Sequence, residues 1–392
     1  MNRIPIFLLC GFLGSGKTTL LRRWRRDSAL RDAAVIVHDL SDFGLDAELV
    51  GGDGPSPVAG ELSGRVAALH GRHARDLLPE SVGRALQAIV SLDPPASLVL
   101  VESTGAARPG PLLRAFMQDD RFALEHFIVT VDALSLWRDF DAGASLAPFH
   151  HTDRALQIAA TLLVEQATFA NLIIVTKTDT VPKVAVETMV RHLERVNPRA
   201  TIGLSAQAGL RWKALSEVPP PDPADWEAMA ASLAPIGDDA ATPTDFECTL
   251  IRDPRPFHPQ RLYDACQSQL GTGLYRTKGY LWLASRPGHV LLWQQSGSQI
   301  SLELTGLWRA ELAANRHGKL LPEEVIALRR QLETEDPIFG DRHTELTLIG
   351  LAAARNSFAS ALRQAFCTTE EIDAWRNGSV FADPWPSVLR RA

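Results

Sequence analysis

The chain has 392 residues, 45% of them hydrophobic, more than one ordinary core accommodates, which points to two domains with ample apolar material to bury. Its net charge of -6 lacks the basic excess of a polyphosphate-binding surface, so no nucleic-acid partner is expected. Four scattered cysteines (Cys10, Cys248, Cys266 and Cys367) form no Cys-x-x-Cys pair and fit a reducing compartment better than a disulfide framework.

Residues 4–9 are an apolar run that predicts a strand, and residues 18–26 predict a helix. Between them lies Gly11-x4-Gly16-Lys17-Thr18. Glycines at that spacing let the backbone curl so that several N–H groups meet one phosphate, and the next helix turns its positive end to the same anion. Gly11, Gly14, Ser15, Gly16, Lys17, Thr18 and Thr19 are therefore candidate nucleotide-binding residues. Lys17 would reach the outer phosphates, and the Thr18 hydroxyl would help to hold Mg2+. At about ten residues the apolar run is short of a membrane span. It ends in the loop itself, which removal as a signal peptide would destroy. A cytoplasmic protein with no membrane partner is expected.

Further apolar runs follow at residues 33–37, 97–101, 127–131 and 172–175, separated by helix-length segments. Continuous Val/Ile/Leu runs of this kind mark parallel strands covered on both faces. The expected fold class is α/β: a P-loop NTPase parallel sheet with helices on both faces over residues 1–212. Residues 213–245 carry proline-rich and small acidic stretches and read as a linker region. Beyond them, residues 279–284, 290–295 and 299–304 look like strands and 259–270 and 322–333 like helices, which makes residues 246–392 a smaller α+β domain. Its tryptophans Trp282, Trp293 and Trp308 are expected in the core.

Two more motifs sit at strand ends. The run 98–101 leads into Glu102-Ser103-Thr104-Gly105, where a carboxylate near Mg2+ and a glycine whose N–H meets the γ-phosphate would lie; the plainer alternative is a carboxylate capping a strand end. The run 172–175 leads into Thr176-Lys177-Thr178-Asp179, close to the Asn-Lys-x-Asp of GTPases. Asp179 would accept from guanine N1–H and N2–H2, which adenine does not offer. Lys177 would lie along the base, and Ser205-Ala206 would back it. Thr176 stands where Asn is usual, which weakens the guanine reading, and a simple turn after a strand is the structural alternative.

Taken in order, these motifs resemble the CobW-like GTPases, relatives of the metal-insertion GTPases for urease and hydrogenase. Supporting stretches are residues 11–21, Asp46-Ala47-Glu48-Leu49, residues 102–105 and residues 166–179. Farther on, residues 275–284 resemble the Arg-x-Lys-Gly-aromatic strand of the family's C-terminal domain, and residues 381–386 a tail of some members. The resemblance implies a slow GTPase that uses GTP and Mg2+, with Lys17, Asp39 and Glu102 as catalytic candidates, Thr18 and Glu102 on the Mg2+, and Gly105, Lys177 and Asp179 among the nucleotide-binding residues. It also implies a switch acting on a client protein, a metalloenzyme being one candidate.

The departures concern metal. Family members follow a Glu-Leu-x-x-Gly stretch with Cys-x-Cys-Cys, whereas Glu61-Leu62-Ser63-Gly64 here precedes Arg65-Val66-Ala67-Ala68. Arg65 puts positive charge where a cation would sit, and is expected to approach a phosphate or a carboxylate such as Glu61. The usual Asn-Glu-Phe-Gly becomes His38-Asp39-Leu40-Ser41, in which Asp39 keeps a carboxylate; His38 and Asp42 are further candidates for Mg2+, water or another metal. His70 and His73 would share a helix face, while the adjacent His150 and His151 would diverge. Zinc or cobalt is left open. A nucleotide-gated scaffold without metal transfer is the alternative, and an ATP-using kinase, which Asp179 opposes, is a third reading.

Overall fold

The computed structural model describes residues 3–39, 62–70, 79–110, 113, 116, 119–146, 152–206, 209–220, 247–270, 273–296, 299–314, 320–386 and 390–391. The chain divides into two compact units, Met1–Phe246 and Glu247–Ala392.

The first unit is built on eight strands: β1 (Ile4–Gly11), β2 (Ala34–Asp39), β3 (Leu62–Ser63), β4 (Val66–His70), β5 (Val99–Glu102), β6 (Phe122–Asp132), β7 (Leu172–Thr176) and β8 (Thr201–Ser205). Their order in the sheet is β3-β4-β2-β5-β1-β6-β7-β8. The seven from β4 to β8 run parallel, and β3 is a short antiparallel edge. Helices α1 (Lys17–Trp24), α2 (Pro79–Val90), α3 (Ala133–Asp139), α4 (Arg154–Phe169) and α5 (Lys183–Val196) connect them. The apolar runs of the sequence became strands because both sheet faces are covered: Val99, Leu100 and Val101 are all buried. Since β1 lies between β5 and β6, with the chain leaving it toward β2 on one side, the loop after β1 opens at the point where strand order reverses, the crevice where such sheets bind ligands.

Helix α1 turns Leu20, Leu21 and Trp24 into the core beneath β1, β2 and β5. The Trp24 indole N–H donates to the Leu210 carbonyl at 3.0 Å and its ring meets Trp212 edge-on at 5.5 Å. The segment Trp212–Glu217 is a short 3-10 helix whose Leu215, together with Val218, is buried in the same core. The first residues of the expected linker region, 213–218, are thus packed in the first unit: proline content marked the region, but Leu215 and Val218 had apolar area to bury.

A second correction concerns residues 65–70. Val66, Ala67, Ala68 and Leu69 are buried in β4, paired in parallel with β2, and His70 ends that strand rather than lying on a helix face with His73. A small apolar tetrad between two other strands is buried as strand, whatever its relatives place there.

The second unit carries β9 (Glu247–Asp253), β10 (Leu274–Leu281), β11 (His289–Ser296), β12 (Gln299–Leu307), β13 (Thr344–Gly350) and β14 (Arg390–Arg391), ordered β14-β12-β11-β10-β13-β9 and antiparallel except for β14 beside β12. Its helices are α6 (Pro259–Gln269), α7 (Arg309–Ala314), α8 (Pro322–Leu332), α9 (Ala352–Ala365) and α10 (Thr369–Arg376). Leu281, Leu291, Trp293, Leu346 and Leu348 form one core with Leu262 of α6 and Phe358 and Leu362 of α9. Trp282 and Trp308 form a second with Phe339 and Ile372, so all three tryptophans are buried, as expected of core residues. The tail joins in: Trp385 stacks edge-on against Trp293 at 5.8 Å, and Asp383 pairs with Arg286 at 2.7 Å.

Thr368 caps α10, and Glu371 accepts two hydrogen bonds from Arg261, at 2.8 and 2.6 Å. The guanidinium holds the Glu371 carboxyl at about 2, well below the usual carboxylate range. A depressed folded-state pKa contributes stability that is present above the ordinary value of about 4.3 and is lost as pH falls toward 2. In acid melts followed by circular dichroism between pH 5 and 2, Glu371→Gln is expected to show a shallower loss of stability than the wild type. No helix among the described residues is long and apolar enough to cross a membrane.

Candidate functional site

The site gathers at the C-terminal end of the parallel sheet. The phosphate-type loop spans residues 11–18, and its first glycine is dictated by space: a Cβ on Gly11 would lie 2.3 Å from the Thr130 carbonyl oxygen of β6, and its φ of +138° is one that other residues rarely adopt. Ser15 closes the loop from within, its hydroxyl 2.6 Å from that of Thr130. Lys17 is only 4% exposed, and its ammonium donates to the carbonyls of Gly11 at 2.7 Å and Phe12 at 3.2 Å. The charge is thus held directly over the loop's mouth.

At the start of α1, the Thr18 hydroxyl donates to Glu102 Oε1 at 2.5 Å. Glu102 ends β5 and is 3% exposed, because β5 pairs with both β1 and β2, which puts the residue at the level of Leu9 and Val37. Two hard oxygen groups from segments 84 residues apart therefore meet beside the loop. Such a pair suits a small hard cation.

Gly105 presses on the loop from the other side. A Cβ there would stand 2.5 Å from the Leu13 backbone nitrogen and 2.7 Å from its Cα. The segment is held from behind by Gln166 of α4, whose amide donates to the carbonyls of Ala107 at 3.0 Å and Gly105 at 3.4 Å. Arg108 adds an ion pair to Glu165 at 2.9 Å. Sequence reasoning missed Gln166 as an anchor; an amide inside the apolar stretch of an otherwise buried helix was the available signal.

Thr176, expected to be a poor substitute for Asn, donates from its hydroxyl to the Ser15 carbonyl at 2.8 Å. It ties β7 to the loop over a separation that the shorter side chain does span. Lys177 has a φ of +55°, and its ammonium sits on Asp132 at 2.5 Å, so only its aliphatic stem is left to lie along a base. Asp132 is the second residue missed: its other oxygen caps α3 by accepting from the Leu134 N–H. Asp179 is exposed on the turn after β7, and Ser205 lies buried opposite Thr176 at the end of β8, with Ala206 exposed after it. Thr19 is exposed on α1.

The metal expectations fare differently. Arg65 donates to the Asp32 carbonyl at 3.1 Å and to that of Pro94, at the N-terminal end of β4. Its expected approach to a phosphate is overturned, because the loop opens at the opposite strand ends, while the alternative partner, Glu61, lies outside the described residues. Cys10, next to the loop, is buried, accepts from the Ser103 hydroxyl at 2.9 Å and has its thiol pushed up to about 12 by burial. It is an inert thiol. Burial likewise raises Cys266 and Cys367 to about 12. His38 is buried in β2, and Asp39 ends that strand opposite His70. The side chains of Asp39, His70 and Cys248 lie outside the described residues, as do Asp42, residues 46–49, Glu61, His73, His150 and His151. Among the described residues, no group of three or more His, Cys, Asp and Glu side chains is placed to hold a metal ion.

With this geometry in view, residues 5–203 match the CobW/HypB/UreG nucleotide-binding domain and residues 246–366 the cobalamin synthesis protein CobW C-terminal domain. The chain belongs to the CobW/HypB/UreG family. The zinc-regulated GTPase metalloprotein activator 1 of Dictyostelium discoideum is 26% identical over 408 residues, covering 96% of this chain and 83% of that relative. The zinc chaperone YjiA of Escherichia coli is 28% identical over 206 residues, 52% of this chain and 57% of that one. The crystal structure of Zn(II)-bound YjiA covers 94% of this chain and 100% of its own at 20% identity, with a TM-score of 0.37. Within the CobW family, then, this member has the GTPase-type loop and both domains, with Arg65-Val66-Ala67-Ala68 where thiolates were expected.

Proposed function

We propose that the first unit binds GTP with Mg2+ and hydrolyses it slowly in the cytoplasm, and that the nucleotide state governs contact with a client protein. The observation that carries this reading is the meeting of Lys17, Thr18 and Glu102 around one loop: an ammonium resting on loop carbonyls, beside a hydroxyl hydrogen-bonded to a buried carboxylate. Lys17 exchanges those carbonyls for the outer phosphates, where its charge and the loop N–H groups stabilise the charge that spreads over the γ-phosphoryl group as water attacks. In this reading the Gly105 N–H would meet the γ-phosphate and Asp39 would act on the water. Mg2+, held by the Thr18 hydroxyl with Glu102 near it, would neutralise phosphate charge; the oxygen-only donor pair fits such a cation.

Guanine is selected by Asp179, which stands exposed beyond a turn that Thr176 anchors to the loop. GTP is expected to bind about tenfold or more tightly than ATP, and Asp179→Ala to abolish most of that preference. Isothermal titration of both nucleotides into both proteins measures this; equal affinities in the wild type would overturn the guanine preference, and tighter binding of ATP than of GTP would revive the ATP-using kinase.

A second reading, a nucleotide-gated binding protein without metal transfer, is favoured by β4, where Ala67 and Ala68 are buried and Arg65 is bound to carbonyls at the far end of the sheet. Metal content of the purified protein with and without GTP separates the two. Stoichiometric, nucleotide-sensitive zinc or cobalt supports a metallochaperone working through other ligands, and none supports the scaffold.

A further inference from the structure

A hollow of about 560 Å³ lies along the outer side of α1, outside the phosphate loop. Two aromatic residues are in its lining, the half-buried Trp212 and, packed edge-on against it, the buried Trp24. With Thr19, four arginines line it: Arg22, Arg23 and Arg26 on α1 and just beyond it, and Arg211, which precedes the 3-10 helix. Asp27 is the one carboxylate in the lining, and it already accepts from the Ala29 N–H at 3.1 Å. None of the four arginines makes an ion pair with a described residue.

The position of Arg22 and Arg23 in the last turn of α1 has a partial explanation in the helix dipole, which favours cations there. That explanation does not reach Arg211, which arrives from beyond β8 and converges on the same space. Four like charges around one small hollow repel each other, and in a chain of net charge -6 they form a local reversal of sign. The arrangement calls for compact negative charge. Guanidinium forks match phosphate oxygens in pairs, and the volume is that of a small-molecule site. An extended acidic peptide spaces its charges along more than 3 Å per residue and would engage such a cluster only in part.

We propose that this hollow is a second anion site, separate from the phosphate loop, which takes a small oligophosphate and lays any planar group it carries against Trp212. None of the residues from Gly11 to Thr18 lines it, while Thr19, a nucleotide-binding candidate in the first turn of α1, does, so titration in the presence of GDP is what tells the two sites apart. Its ligand sits along the helix that carries Lys17 and Thr18, between Thr19 in the first turn and Asp27 beyond the last.

The test is calorimetric titration of inorganic tripolyphosphate into the full-length protein held in excess GDP. One saturable equivalent is expected, with affinity falling steeply with salt. Arg23→Glu with Arg211→Glu is expected to weaken it by about tenfold or more, with GDP affinity unchanged. If the double reversal does not fold, Arg23→Gln with Arg211→Gln serves, judged by the same ratio. Loss of all tripolyphosphate binding when GDP saturates the protein would place the anion in the loop and overturn the proposal. So would binding that ignores both arginine pairs, or a hexa-aspartate peptide that binds more tightly than tripolyphosphate, which would make the hollow a protein-docking surface.

Discussion

Lys17→Ala is expected to weaken GTP binding by about tenfold to a hundredfold, the range of one or two charge-assisted hydrogen bonds, and to weaken GDP binding less. The difference between nucleotides follows from the proposed reach: the ammonium stands on the loop carbonyls of Gly11 and Phe12, from which it would turn to the outer phosphates of GTP. The substitution also removes the donor from the buried Gly11 carbonyl, an unsatisfied group that costs about 1–3 kcal/mol of stability. Two effects of different origin therefore arise from one side chain, and thermal melts separate them. The variant should melt lower than the wild type without nucleotide. GTP, which stabilises only the folded protein, should then raise the wild-type midpoint and leave the variant's nearly unmoved at the same concentration. A variant that melts lower yet gains the full GTP-induced shift would mean that Lys17 serves the loop's own structure and not the nucleotide.

How far such residues were legible in advance depended on whether their role was local. The strands β1, β2, β5, β6 and β7 could be read because a parallel strand buried on both faces is a continuous apolar run, as Val99 to Val101 illustrates. The loop and the Thr18–Glu102 meeting were legible for the same reason: each motif ends a run, and neighbouring runs bring their ends together. The edge strand β8 was harder, because only Ser205 of its five residues is buried and the pattern is polar. Arg65 was misread because its place depends on where β4 begins. One strand length decides whether a residue faces the phosphates or the opposite rim, and spacing along the sequence does not carry that information. Side-chain partners across long separations were not legible at all: Lys177 with Asp132, Thr176 with Ser15, and Gln166 with the Gly105 segment each needed the sheet order first.

That last contact leads to the substitution with the largest expected structural effect in the site. Gly105→Ala adds one methyl group at a point where the nearest atoms, Leu13 N at 2.5 Å and Leu13 Cα at 2.7 Å, are backbone and have no rotamer to escape into. One of the two segments has to move. The Gly105 segment is anchored from behind by Gln166 and by Arg108 on Glu165, so the displacement falls on residues 11–17 of the loop. Overpacking of this kind costs about 1–3 kcal/mol, and the moved loop should lose affinity for GTP more than for GDP, because the N–H of residue 105 is the group proposed to meet the γ-phosphate. Releasing the anchor tests the direction of the push. Gln166→Ala lets the segment retreat toward α4, so in the double variant part of the GTP affinity lost in Gly105→Ala should return, a coupling that a double-mutant cycle on binding free energies detects. Strictly additive losses would show that the loop and the α4 anchor do not oppose each other across Gly105. Recovery would identify that glycine as the point where α4 and the phosphate loop are pressed together, and hence as a route by which a change at the γ-phosphate reaches a helix on the other side of the segment.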